Sequence, residues 1–318
     1  AAAWADIAYE TVPAKANMLY DKAFERHDRD RRIEYLEKVL LGEGNLNTKG
    51  LMPYEIVHRI TGKSSYYRVL QGDLLSELMW KKIVREGFQN DWGFEDAIVV
   101  ADGSGSMFQM ASGSSSVMAI EICNSLAIYF AGQLHGVFHN KAITFSDRPR
   151  FIDLKEHTSL KDKLEIMFAH NEMSNTNIEA VFDLLLAMAE CEDVPREELP
   201  KQVLIISDME FDEATASGYP WEKKRKPVND TLFARIAEKY EAAGYQMPRL
   251  IFWNVCGRTD TIPMVNNGEG LCLLSGFSQN AMKITADQTK KEPYEALLQV
   301  LDSPRYQAID DAILSWTA

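Results

Sequence analysis

From residue 97 onward, short apolar runs alternate with longer amphipathic segments, and this alternation limits the fold more than any other feature of the sequence. The strand candidates are residues 97–102, 141–146, 150–154, 202–208, 249–256 and 270–276. Several are apolar nearly throughout, as strands covered by helices on both faces tend to be. Helices are expected near residues 115–135, 158–168, 177–190 and 229–243, with two more after residue 278. The repetition predicts an α/β fold, with a doubly wound and mostly parallel sheet flanked by helices.

The first 92 residues differ from the rest of the chain and carry little β signal. Apolar residues recur there among dense charges at spacings typical of amphipathic helices: Met18, Leu19, Phe24, Ile33, Leu36, Val39 and Leu40. Pro53 suits the first turn of another helix, and residues 73–87 predict a further one, with Asp73 as its cap and Gly87 as its stop. We therefore divide the chain into an α-helical N-terminal region, residues 1–92, and an α/β domain, residues 93–318.

The charge and hydropathy of the chain limit the classes of partner that it is expected to bind. The 318 residues include 47 acidic and 34 basic ones, which gives a net charge of −13. A negative surface repels phosphate backbones, so broad electrostatic binding of nucleic acid is disfavoured and nothing indicates a DNA partner. No apolar run approaches the roughly 18 residues that span a bilayer, so no membrane association is expected. The chain opens without a recognisable signal sequence and its four cysteines form no C-x-x-C pair, which favours reduced thiols and a cytoplasmic location.

The stretch "IVVADGSGSM", residues 98–107, places an acid and two hydroxyls directly after the first predicted strand. Glycines between them let the backbone turn so that Asp102, Ser104 and Ser106 face one point. Carboxylate and hydroxyl oxygens are hard ligands, suited to Mg²⁺, Mn²⁺ or Ca²⁺. The alternative is a purely structural role, in which this stretch is a turn that caps the following helix.

Such cations prefer roughly six oxygens, so a metal site needs further ligands from other strand ends. Thr176 lies in a polar loop before a predicted helix, and Asp208 ends an apolar run expected to lie beside the first strand. In a doubly wound sheet, ligands bind beyond the carboxyl ends of the strands, where the strand order reverses. The alternative for both residues is a capping role.

The pattern resembles the metal-ion-dependent adhesion site (MIDAS) of von Willebrand factor A (vWA) domains, written D-x-S-x-S with a later Thr and a later Asp. The five matching residues are Asp102, Ser104, Ser106, Thr176 and Asp208. The resemblance implies a Rossmann-like vWA fold in which the Ser and Thr hydroxyls contact the metal and both carboxylates bind it directly or through water. It also implies one open position for an acidic group of a protein partner. Gly103 stands where the family often has an apolar residue, a departure that loosens the loop without removing a ligand.

The blocks "VVADGSGSM", "NTNIEAVFDLLL" and "LIISDMEFDEA" are also similar to the vWA half of an uncharacterised family akin to the Ro (TROVE-type) ribonucleoproteins. In that family a helical region precedes the vWA domain, and "AYETVPAKANMLYDKAFERHD" and "GLMPYEIVHRI" resemble its helical blocks. The resemblance implies a binding protein without established catalysis. It leaves two hypotheses open, metal-dependent binding of a protein partner and Ro-like binding of RNA with a structural or regulatory metal.

A basic loop leaves the same strand end as Asp208. In "SGYPWEKKRKPVND", residues 217–230, an aromatic residue precedes four bases that could attract an anionic partner: Trp221, Lys223, Lys224, Arg225 and Lys226. The alternative is an ordinary solvated loop.

Catalytic signatures are missing from the sequence. It has no G-x-S-x-G elbow, Walker A loop or G-x-G-x-x-G, and its six histidines lack metal-type spacing. "DGSGS" resembles the nucleophilic aspartate loop of phosphoryl transfer, but the acid expected two residues later is Ser104. We therefore predict that the chain is not an enzyme and keep a metal-dependent phosphoesterase as the weaker alternative.

Overall fold

The computed structural model describes residues 4–62, 70, 72–89, 96–112, 116–171, 177–208, 230–256, 271–276, 298 and 302, without the side chains of residues 88–89, 230–231 and 271–274. Within these residues the predicted fold class is confirmed. A six-stranded, mostly parallel sheet is flanked by helices and preceded by a helical region. None of the helices in this part of the chain has the length and apolarity needed to cross a membrane.

Six strands form the sheet: β1 (Ala97–Asp102), β2 (Lys141–Phe145), β3 (Phe151–Asp153), β4 (Gln202–Ser207), β5 (Arg249–Asn254) and β6 (Leu271–Ser275). Their spatial order is β3-β2-β1-β4-β5-β6. Only β3 runs antiparallel, against β2, so it closes one edge of an otherwise parallel sheet. The expectation that residues 202–208 lie beside the first strand is confirmed by the parallel pairing of β1 with β4.

Helices cover both faces of the sheet: α5 (Ala119–Ala131), α6 (Leu160–Ala169), α7 (Ile178–Cys191) and α8 (Asp230–Ala242). Every residue of β1 is buried, and its side chains alternate between two apolar cores. Val99 packs in the core that includes α5 and α6, whereas Ile98 and Val100 pack in the core that includes α7 and α8. Burial on both faces explains why this strand is a continuous apolar run rather than an alternating one.

The described residues of the N-terminal region form four α-helices: α1 (Ala14–His27), α2 (Arg29–Leu41), α3 (Pro53–Thr61) and α4 (Leu74–Gln89). Pro53 begins α3 as predicted, and Asp73 accepts a hydrogen bond from the Ser76 backbone N–H at 2.9 Å, as a cap does. Of the apolar residues expected on amphipathic helices, Phe24 and Leu36 are buried. Three others are exposed, so that prediction holds only in part: Leu19, Ile33 and Leu40.

Gly87 was predicted to end α4, and this was wrong because the helix continues to Gln89. A Cβ atom at Gly87 would lie 1.6 Å from the hydroxyl oxygen of Tyr129, a buried side chain of α5. The glycine therefore lets α4 approach α5 closely, which is a packing role rather than a stop signal.

A buried carboxylate joins the helical region to the sheet domain. Glu121, in the first turn of α5, accepts hydrogen bonds from the Met118 backbone N–H (2.9 Å), from the Thr61 hydroxyl and, at 3.0 Å, from Nδ1 of His58. Burial alone would raise the pKa of Glu121, but these hydrogen bonds hold the pKa below its ordinary value. Because His58 and Thr61 belong to α3, the charged carboxylate ties α3 to the start of α5.

Candidate metal centre

The strand order places two acidic side chains side by side. The chain passes from β1 to β2 on one side, whereas β4 lies on the other, so the order reverses between β1 and β4. Asp102 is the last residue of β1, and Asp208 directly follows β4. In the register of these parallel strands Ala101 pairs with Ile206. Both acids therefore reach the carboxyl edge of the sheet at the reversal, where ligands bind in open α/β sheets.

Asp102 is held by hydrogen bonds to both of its oxygens. The Ser207 hydroxyl donates to Oδ2 at 2.6 Å, and the Ser104 backbone N–H donates to Oδ1 at 2.9 Å. Burial raises the pKa of Asp102, the two hydrogen-bonding serines lower it, and the negative charge of Asp208 raises it again. The negative charge of Asp208 therefore adds to the free-energy cost of ionising the buried Asp102.

Asp208 is fully buried, at 0% exposure. The Gln109 side-chain amide donates to its Oδ2 at 3.2 Å. Gln109 follows the 3₁₀ turn Gly105–Phe108, the same loop that carries Ser104 and Ser106. This contact ties the end of β4 to the loop after β1, across 99 residues of sequence.

Ser104 and Ser106 place their hydroxyls together. The two Oγ atoms are 3.1 Å apart, and either one can donate to the other. Ser104 precedes the 3₁₀ turn and Ser106 lies within it, so the turn brings alternate residues of "DGSGS" to one side. With Asp102 hydrogen-bonded to the Ser104 backbone, these three predicted residues form one compact group.

A close contact that the sequence does not reveal explains why residue 103 is a glycine. A Cβ atom there would lie 2.8 Å from Cα of Asn171 and 2.9 Å from its side-chain oxygen. The expectation that Gly103 only loosens the loop was therefore incomplete, because a glycine is also required for this close approach. Asn171, five residues before Thr176 in the sequence, therefore lies against the loop that follows Asp102.

A neutral thiol lies close to the two acids. Cys123, on α5, donates its S–H to the Ile206 carbonyl at a sulfur–oxygen distance of 3.4 Å. Burial raises the pKa of Cys123 well above its ordinary value, and the charges of Asp102 and Asp208 raise it further. This protonated thiol contributes neither charge nor a strong metal ligand, so the chemistry of the site rests on oxygen atoms.

The structure thus brings together four of the five predicted metal ligands, whereas Thr176 lies outside the described residues. The predicted partner-binding residues of the basic loop also lie outside them: Trp221, Lys223, Lys224, Arg225 and Lys226. Among the described residues no group of three or more His, Cys, Asp and Glu side chains could hold a metal. A site here would therefore depend on hydroxyl ligands.

Sequence reasoning missed Ser207 and Gln109, which orient the two carboxylates. A signal existed for Ser207, a hydroxyl residue at the end of an apolar run and next to a predicted ligand. Gln109 had no such signal, because its role depends on a contact between distant segments.

Comparisons of sequence and of fold show which known proteins this chain is similar to. It is 28% identical over 310 residues to "Uncharacterized protein L728" of Acanthamoeba polyphaga mimivirus, a match that covers 93% of this chain. The chain spans about half the length of that relative, 50%. Its fold is similar to the crystal structure of the Deinococcus radiodurans RO (RSR) protein, with a TM-score of 0.50 and 12% sequence identity over 87% of this chain and 53% of the other.

At that identity the likeness to the RO protein concerns the fold alone, and at that level it confirms the expected similarity to the vWA-like fold of Ro-type proteins. Residues 1–89 match a second domain family of unknown function, DUF2828. Residues 96–308, two thirds of the chain, match the profile of a domain of unknown function, and the chain therefore belongs to that family, DUF7788.

Proposed function

We propose that this chain is a binding module that depends on a divalent metal. Asp102, Ser104, Ser106 and Asp208 would hold Mg²⁺, or Mn²⁺ or Ca²⁺, together with Thr176. The observation that carries the proposal is the pair of buried acids at the ends of β1 and β4, beside two hydroxyls of one loop.

The donor set fits a hard cation. Asp102 forms no salt bridge with any described residue, and the only charge that shifts its pKa is the negative charge of Asp208. Each oxygen of Asp102 accepts one of the hydrogen bonds described above, and a carboxylate has about four acceptor positions in all. Two buried, mutually repelling carboxylates are costly by themselves, and a divalent cation would convert their repulsion into attraction.

The proposed partner is a protein that presents an acidic side chain. Hydroxyl ligands bring no formal charge, so a bound cation would retain attraction for a further anion. When bound, the ion would supply an electrostatic anchor for the partner carboxylate. The residues of this chain would hold and orient the ion: Ser207 fixes Asp102, and Gln109 fixes Asp208.

Calorimetric titration with Mg²⁺ and Mn²⁺ tests the metal part of the proposal. We expect saturable binding to the wild-type chain and at least a 100-fold loss of affinity in Asp208→Asn and in Ser104→Ala. Asp183→Asn is the matched control, because Asp183 is an exposed carboxylate of α7 that pairs with Lys239 and is not one of the proposed ligands. Absence of binding to the wild type, or equal binding by all variants, contradicts the proposal.

An affinity pull-down tests the partner part. Retention of a protein partner should be lost in EDTA, restored by Mg²⁺ and lost again in Asp208→Asn with Mg²⁺ present. A partner that is retained equally in EDTA would show that binding does not use the metal.

Ro-like RNA binding is the second candidate function, and the fold similarity to the RO protein over 87% of the chain favours it. In this version the helices and the basic loop would hold the RNA, and the metal site would be structural or regulatory. Retention of RNA at moderate salt, lost when the four bases of the loop become Ala, would support it. RNA binding that the four substitutions do not weaken would count against a role for the loop.

A further inference from the structure

A groove between α4 and α6 lies outside the candidate metal centre. Its volume is about 420 Å³, within the range of small-molecule sites. Trp80, Val84 and Leu160 give it an apolar floor. Three cations from two helices, Lys81, Arg85 and Lys163, also line it.

These three cations differ from the neighbouring ones in forming no salt bridge with a described residue. Lys82, next to Lys81 on α4, pairs with Glu86 at 3.4 Å, and Lys161 on α6 pairs with Glu165 at 3.0 Å. Lys81, Arg85 and Lys163 form no salt bridge within the described part of the chain. The only acid among the described residues that line the groove is Glu77, whose negative charge raises the pKa of Lys163, so the lining is net positive in a chain with a net charge of −13.

The arrangement does not favour stability by itself. Lys81 and Arg85 are four residues apart on one face of α4, and like charges at this spacing repel each other. Lys163 is half-buried, and its ammonium donates to the neutral side-chain oxygen of Asn140 at 3.1 Å. Burial lowers the pKa of Lys163, so a bound anion would stabilise its charged form.

Glu77, the acidic residue that lines the groove, already accepts two hydrogen bonds. The two carboxylate oxygens of Glu77 accept hydrogen bonds from the backbone N–H groups of Leu160 and Lys161, at 3.0 and 3.3 Å. Glu77 therefore caps the start of α6 and ties it to α4. The cations remain in excess by three to one.

We propose that this groove binds a phosphorylated small molecule with an apolar body. A phosphate monoester carries about −1.5 to −2 charges and three acceptor oxygens, so it can interact with more of the three lining cations than a single carboxylate can. Trp80, Val84 and Leu160 would contact the apolar body, and the exposed Thr158 at the rim adds a hydroxyl donor.

Ligand-observed ³¹P NMR with phenyl phosphate and inorganic phosphate tests this proposal in metal-free buffer containing EDTA. We expect phenyl phosphate to bind the wild-type chain more tightly than inorganic phosphate, because only the former contacts the apolar floor. Lys81→Gln/Arg85→Gln should weaken phenyl phosphate by at least about tenfold, and Lys163→Gln should do the same.

The chain offers a matched control. Lys22 and Arg26 have the same four-residue spacing on α1, are exposed and lie away from the groove, so Lys22→Gln/Arg26→Gln removes the same charge. It should leave phenyl phosphate binding unchanged. Asp208→Asn should also leave it unchanged, which separates this proposal from the metal centre.

Four results would overturn the proposal. One is the absence of phenyl phosphate binding, and another is an equal loss of binding in the control and groove variants. The third is a single-stranded RNA oligonucleotide that binds through the groove cations while phenyl phosphate does not. The fourth is equal affinity for inorganic phosphate and phenyl phosphate, which would show that the apolar body of the ligand does not contribute to binding.

Discussion

Removal of the Glu121 carboxylate should strongly destabilise the fold, because this group lies at 0% exposure and accepts three hydrogen bonds. Glu121→Ala removes one buried methylene group, about 0.8 kcal/mol, together with the carboxylate, and it leaves buried donors without their acceptor at about 1 kcal/mol or more each. The Thr61 hydroxyl has an alternative acceptor in the His58 carbonyl at 3.3 Å, which reduces the total. We expect the free energy of unfolding to fall by about 3–5 kcal/mol.

Glu121→Gln keeps the shape and one acceptor oxygen, so its loss should be smaller, about 1–2 kcal/mol. Urea unfolding followed by circular dichroism at pH 7 measures both variants. Glu165→Ala is the control, because Glu165 forms an exposed pair with Lys161 and should unfold like the wild type. A Glu121→Ala variant that loses less than about 1 kcal/mol would refute the view that this carboxylate fastens α3 to α5.

Three further predictions concern the packing of Gly87, the orientation of Asp102 and the pH dependence of unfolding stability. Gly87→Ala forces a Cβ atom against the buried Tyr129 hydroxyl and should lower unfolding stability by about 1–3 kcal/mol in the same urea assay. Ser207→Ala removes the hydroxyl that orients Asp102 and should weaken Mn²⁺ about 10–100-fold by calorimetry, with little change in melting temperature. Because the folded pKa of Glu121 lies below its ordinary 4.5, its contribution is fully present above that value. The contribution is lost as the pH falls through the folded pKa, so acid titration should separate wild type from Glu121→Gln at neutral pH and bring them together at low pH.

Local sequence patterns were sufficient to predict the strands of the sheet. Buried parallel strands need apolar side chains on both faces, so the predicted bounds of β1, residues 97–102, match the structure. The adjacency of β1 and β4 was also predicted, and the parallel pairing of the two strands confirms it. The fold is therefore the part of the account that the sequence constrains most.

Features that depend on tertiary contacts were not predictable from local patterns. Gly87 looks like a helix stop until Tyr129 is seen against it, and Gly103 looks merely permissive until Asn171 is placed beside it. The role of Glu121 requires α3, which is about 60 residues away in the chain. The exposure of Leu19 on α1 likewise follows from which face the neighbouring helices cover, and helical periodicity alone does not show this.

The metal ligand set could be predicted only as a hypothesis, because its members come from separate strand ends. The structure brings Asp102, Ser104, Ser106 and Asp208 together, whereas their binding of a metal and the place of Thr176 in the site stay predictions. The domain boundary after residue 92 and the partner role of the basic loop also stay predictions.

The most direct measurement is anomalous diffraction from crystals grown with Mn²⁺. The account predicts one strong peak at the carboxyl ends of β1 and β4, about 2.0–2.4 Å from the hydroxyl oxygens of Ser104 and Ser106 and beside the carboxylates of Asp102 and Asp208. The Thr176 hydroxyl should complete the ligands supplied by the chain. A map with no peak there at saturating Mn²⁺, or with a peak bound only by other residues, would contradict the central claim.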